Sequence, residues 1–154
     1  MLSVRPSGYF VPAKGEVEED KVYEGFQVYV TDLSNNYSSA LTFSRISYDP
    51  VWSPRGDLIA YVSQEEEDNW QDAYGSGGDE IYVITPQGQD KRRLTENVWE
   101  WDKHPSFSPD GSQIVYWSNQ GSGLRQLWIV NVDGSGRRVL MYSDYNDWDP
   151  VWIK

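Results

Sequence analysis

The 154-residue chain has no cysteine, one histidine and few cations: 13 Lys and Arg against 24 Asp and Glu, a formal net charge of −11. Each shortage excludes something. Without cysteine there is no disulfide framework and no thiolate to act as nucleophile or metal ligand. With a single histidine there is no imidazole pair for a metal, and no Gly-x-Ser-x-Gly elbow stands ready to present a serine to it. The acid excess repels polyanions, so nucleic acid is excluded as a partner; its binding draws on cationic side chains that displace counterions. No apolar run approaches the roughly 18 residues of a membrane span, and the opening MLSVRPSGYF is too polar to be the core of a signal peptide.

What the chain does have is aromatic surface and repetition. Eight Trp, eleven Tyr and four Phe supply large side chains for a core. Asp49-Pro50-Val51-Trp52 returns as Asp149-Pro150-Val151-Trp152, with His104-Pro105-Ser106-Phe107 between them. Trp52, Phe107 and Trp152 are equivalent, 55 and then 45 residues apart, close to the length of a four-stranded propeller blade.

Within each unit, PVWS or PSFS predicts a first strand, SPRG or SPDG a tight turn, and LIAYVS or QIVYWS a second strand. EIYVIT or QLWIVNV predicts the third, PQGQ or DGSG the next turn, and RRLT or RRVL the fourth. FQVYVTDL (Phe26–Leu33) and ALTFS fit strands three and four of an earlier unit. Its second strand is either Leu2–Arg5 or Gly8–Pro12, and no first strand precedes it.

These phrases predict an all-β chain of three four-stranded blades. The first spans about 1–45 plus 149–154, the second about 46–98 and the third about 99–145. The C-terminal hexapeptide is expected to complete the first blade as its innermost strand, since ring closure of this kind removes exposed strand edges.

The phrase read from Asp102–Leu140, and more loosely from Ser47–Thr95, resembles the TolB-type, WD-like β-propeller repeat. Two departures stand out. Ser47 occupies the slot that Asp102 and Asp147 fill elsewhere, and SPRG replaces SPDG once. The resemblance implies a ring of about six blades and a periplasmic or extracellular location. It also implies roles ranging from partner in an envelope complex to the gating propeller of a serine peptidase, whose hydrolase domain this chain lacks. Three blades make half of such a ring. A homodimer is therefore expected to close it, with Asp149–Lys154 completing the first blade of the neighbouring chain; a half-propeller docked on a different protein, or a fragment of a longer propeller, is the alternative.

Strand alternation puts the short turns on one face of the disc. The other face takes the long loops: 13–25, 64–80, 96–105 and 142–150. It gathers Trp70, Tyr74, Trp99, Trp101, Tyr145 and Trp148 with Asp68, Asp72, Asp102 and Asp147. Aromatic faces beside carboxylates suit cationic side chains and also sugar rings. Trp101 and Trp148 are equally placed to pack between blades, Asp102 and Asp147 to accept backbone N–H bonds, and Trp70 and Trp99 to meet a ligand.

The run Glu65–Asp68 lacks the ligand spacing of a calcium loop and reads as a solvated surface, while His104 reads as a loop variant. No metal, cofactor or catalytic residue is expected. The sequence points to a binding module for a protein or peptide, with a carbohydrate-binding propeller or an architectural subunit as alternatives.

Overall fold

The computed structural model describes residues 2–7, 25–43, 46–64, 78–97 and 100–153. Among them the structure is all strand and turn: β1 (Leu2–Ser7), β2 (Gly25–Asp32), β3 (Tyr37–Ala40), β4 (Ile46–Trp52), β5 (Ile59–Gln64), β6 (Glu80–Ile84), β7 (Arg92–Arg93), β8 (Asp102–Phe107), β9 (Gln113–Ser118), β10 (Gln126–Asn131) and β11 (Arg138–Met141). Strands β4 to β7 form one antiparallel meander and β8 to β11 another. Strands β1, β2 and β3 form a third set, joined to β4 by one parallel bridge, Phe26 to Ile46. Of the two candidate second strands, Leu2–Ser7 is a strand; Gly8–Pro12 lies outside the described residues.

The middle sheet shows why near-continuous apolar runs suit these strands. Every residue of β6, and all of β5 except Gln64, is buried, because the sheet is covered on both faces. One alternate set, Ala60, Val62, Ile81 and Val83, packs against Phe107, Ile114, Tyr116 and Val130 of the next sheet. The other set, Ile59, Tyr61, Tyr82 and Ile84, packs against Val28 and Leu41 of the preceding one. The period-two alternation is thus divided between two sheet-to-sheet interfaces.

The repeated Asp/His-Pro phrase has a backbone cause. Asp49, His104 and Asp149 all adopt positive φ, 55°, 54° and 42°. In β4 and β8 this residue sits in a bulge, between Tyr48 and Val51 and between Lys103 and Ser106. Asp and His tolerate the left-handed region better than β-branched residues do, and a following proline disfavours the right-handed helical alternative.

The SPRG departure is compensated locally. In SPDGS, Asp110 accepts hydrogen bonds from Ser108 Oγ (2.6 Å) and from the Ser112 backbone N (3.0 Å). In SPRGD the carboxylate has moved to Asp57, which accepts from Ser53 Oγ at 2.8 Å. Arg55 is thereby freed to donate to Gly111 O at 2.6 Å, tying one turn to the next.

Within the single chain the C-terminal segment makes no ladder with β1 among the described residues. Asp147 N donates to Arg125 O (2.9 Å), and Trp152 Nε1 donates to Ser106 O (3.1 Å). These contacts hold the segment against β8 to β10, where it emerges from β11. Among the described residues, β1 consequently has a strand partner on one edge only, β2.

Thr95 joins the outer end of the middle sheet to its core. Its hydroxyl accepts from Ile81 N (2.9 Å) and donates to Glu80, and it is fully buried. Thr95→Val keeps the shape but strands both groups, and should destabilise the fold by about 1–3 kcal/mol in urea titration. A change within experimental error would refute this account of the residue.

Candidate functional site

The two loop families separate as the strand order requires. On one side the short turns meet one another through Arg55 and Gly111, and through Val132 N donating to Ser112 O at 3.1 Å. On the other side the β9–β10 loop meets the crossovers. Asn119 Oδ1 accepts from Trp101 N (2.7 Å), and Arg125 N donates to Asn146 Oδ1 (2.9 Å). Gln126, buried at the start of β10, donates through Nε2 to the carbonyls of Ser143 and Tyr145, both at 3.1 Å. These side-chain bonds set the backbone of segment 143–147 on a rigid strand.

Four of the expected aromatic and acidic residues lie on this face among the described residues. Trp101, at the entrance to β8, is 46% exposed, Trp148 56% and Tyr145 79%. Asp147 is half-buried and accepts from Ser143 Oγ at 3.1 Å. Trp70, Tyr74 and Trp99, with Asp68 and Asp72, lie outside the described residues.

Asp102 does not reach the surface. It is fully buried, held by Asn97 Nδ2 (3.0 Å) and Arg137 NH2 (3.2 Å), so its carboxylate is closed to any partner. The cause is its place in the ladder: it pairs with Ser118 in the interior of the sheet stack. The donors to Asp102 are side chains, not the expected backbone N–H groups.

The aromatic faces already carry cations. Lys103 Nζ lies 5.2 Å from the Trp101 ring centroid and 5.5 Å from that of Tyr48, and 2.7 Å from Asp79 Oδ2. Burial, then the adjoining Asp79 carboxylate, raises the Tyr48 hydroxyl pKa well above its usual range. Arg125 lies 3.5 Å from the Trp148 ring centroid and 4.9 Å from that of buried Trp117. Counting from the Asp/His-Pro step, Lys103 and Trp148 are equivalent. Counting from the third strand, so are Asp79 and Arg125. An ion pair at one junction is thus replaced by a cation–π contact at the next. Composition does not show this, although the register of the repeat contains the equivalence.

Beneath this face runs a buried polar network. Glu80 accepts from Thr95 Oγ1 and, through Oε1, from Asn97 N (2.8 Å), and pairs with Arg93 at 3.2 Å. Arg137 bonds Tyr116 OH at 2.8 Å as well as Asp102. Burial raises the pKa of both Glu80 and Asp102 above the ordinary carboxyl range. His104 Nδ1 lies 2.9 Å from Asp149 Oδ1 and 3.4 Å from Asp49 Oδ2, so the three equivalent positive-φ residues stand side by side. Among the described residues no three His, Cys, Asp or Glu side chains converge on a metal position.

No family model matches the chain. An uncharacterised protein of Agrobacterium fabrum is 27% identical over 147 residues, covering 96% of this chain and 45% of that protein. A TolB homologue of Chlorobium luteolum is 32% identical over 108 residues, covering 70% of this chain and 22% of the relative. Among solved structures, a TolB-like protein from Agrobacterium tumefaciens superposes with a TM-score of 0.66 at 28% identity, covering 82% of this chain and 41% of that one. The chain therefore spans less than half the length of these relatives. Peptidases and an oligogalacturonate lyase share the same architecture, so the architecture alone leaves reaction chemistry open.

The network makes a signed prediction about pH. Glu80 stands where the neighbouring sheets carry Gln27 and Gln126. Because its pKa is raised on folding, the native state holds the proton more tightly than the unfolded chain. Stability is therefore lost as pH rises from the unfolded carboxyl range through the higher native value. Glu80→Gln removes that loss. The difference in Tm, variant minus wild type, should grow from pH 4 to pH 7.5; a flat or falling difference would contradict the assignment.

Proposed function

Because the chain is an all-β member of the TolB-type, WD-like β-propeller repeat family, we propose that it is a non-enzymatic binding module. It would recognise a protein or peptide of basic character through the long-loop face. The observation that carries this reading is the display of Trp101, Tyr145 and Trp148, partly exposed, on segments tied to strands by Asn119 and Gln126. Recognition residues held on a rigid frame lose little freedom when a partner arrives. Lys103 and Arg125 indicate which chemistry the rings accept, since each lies over the indole that it meets. The net charge of −11 would steer a cationic partner towards the face.

Two chains would form one ring. The two Agrobacterium relatives are about twice as long as this chain, and the propeller architecture uses about four to eight blades. Both ends of the sheet stack would then be covered by the other copy.

Binding of a Lys/Arg-rich peptide, followed by calorimetry, should weaken about tenfold or more in Trp148→Ala and Trp101→Ala. It should also fall as salt rises from 50 to 500 mM. Binding of neutral oligosaccharides that ignores salt would favour the carbohydrate reading instead. Light scattering should give twice the chain mass.

A further inference from the structure

We propose that the two chains are sewn together by an exchanged inner strand, in which Asp147 of one copy stands directly across from Arg5 of the other. This rests on the two-chain ring and adds to it a register and a chemistry.

The register comes from the two complete meanders. Each inner strand pairs with its second strand in the same way: Ser47 with Ser63 and Tyr48 with Val62 in one, Asp102 with Ser118 and Lys103 with Trp117 in the other. The second strands in turn pair Ser63 with Glu80 and Ser118 with Gln126. In the incomplete set, Arg5 pairs with Gln27. Gln27 and Glu80 are the same position by their bonding: Thr42 Oγ1 donates to Gln27 Oε1 (2.7 Å) and accepts from Val28 N, as Thr95 does for Glu80 and Ile81 N. Arg5 therefore holds the place of Ser63 and Ser118, on a strand whose second edge has no partner among the described residues.

The C-terminal segment holds the place of an inner strand. Asp147 N donates to Arg125 O (2.9 Å) as Asp102 N donates to Asp79 O (2.7 Å), and Asp149 shares the positive φ of Asp49 and His104. Laid on the open edge of β1 in the common register, Asp147 falls opposite Arg5, Trp148 opposite Val4 and Val151 opposite Leu2. In the single chain Val151 is 75% exposed.

Charge then singles out the pair. In both complete meanders this inner-strand position is fully buried, as Ser47 and Asp102. A serine there is neutral, and Asp102 has Arg137 at 3.2 Å. Arg137 precedes Arg138, which pairs with Ile129; by the same ladder its counterpart in β3 is Ser38, which brings no cation. A buried carboxylate without a counter-charge is costly, and Arg5 is in register to supply it.

The test is a charge exchange read by light scattering over a concentration series. Asp147→Arg and Arg5→Asp, each alone, place like charges at both seams and should weaken dimerisation by at least about 100-fold. An equimolar mixture of the two variants should dimerise, because one seam carries the native pair and the other its mirror. A misfolded variant would not be rescued by mixing, and circular dichroism of each alone reports on folding. A wild type that stays monomeric at every concentration would overturn the ring itself, and would point to another polypeptide as occupant of the β1 edge. A dimeric wild type whose variants remain dimeric, or whose mixture does not associate, would overturn the seam and leave the ring standing.

Discussion

One backbone hydrogen bond organises this molecule: a residue two positions before the positive-φ step donates its N–H to the carbonyl at the foot of the preceding sheet's third strand. Asp102 makes it to Asp79 and Asp147 makes it to Arg125, while the parallel bridge from Phe26 to Ile46 marks the same junction one sheet earlier. Because the bond belongs to the backbone, it constrains position without constraining side chains. The residues beside it are free to change from an ion pair, Lys103 with Asp79, to an arginine lying on an indole, Arg125 with Trp148. The face that gathers the aromatics is where these variable contacts occur.

The sheets themselves follow from that placement. Once an inner strand is set on its neighbour, alternate residues of β5 and β6 point into two different interfaces, and both must be apolar. The interior is not wholly apolar, however. Glu80 and Asp102 are retained there with Arg93 and Arg137, at the junction where the middle sheet meets the next. Such pairs add little net stability, because desolvation offsets most of their attraction.

Much of this architecture was legible in the residues. The Asp/His-Pro step, the serine-proline turns and the alternating apolar runs each carry a backbone requirement, and such requirements recur in register. What stayed hidden was chemistry decided by tertiary neighbours. The arginine of SPRG looked like a defect in the repeat, yet Asp57 takes over the lost carboxylate and Arg55 reaches Gly111. Asp102 looked like a ligand acid and proved to be interior, since exposure depends on which sheet lies across from it. Arg125 was invisible as a ring partner because no spacing within one strand brings it to Trp148, whereas Lys103 stands two residues from Trp101.

The positive φ at Asp149 has a kinetic consequence. Asp149 already holds, on its own sheet, the left-handed φ that Asp49 and His104 take in their inner strands. A segment shaped in advance needs no conformational search when it meets an open edge. Its capture would proceed at the pace of a rigid-body encounter rather than that of a folding reaction.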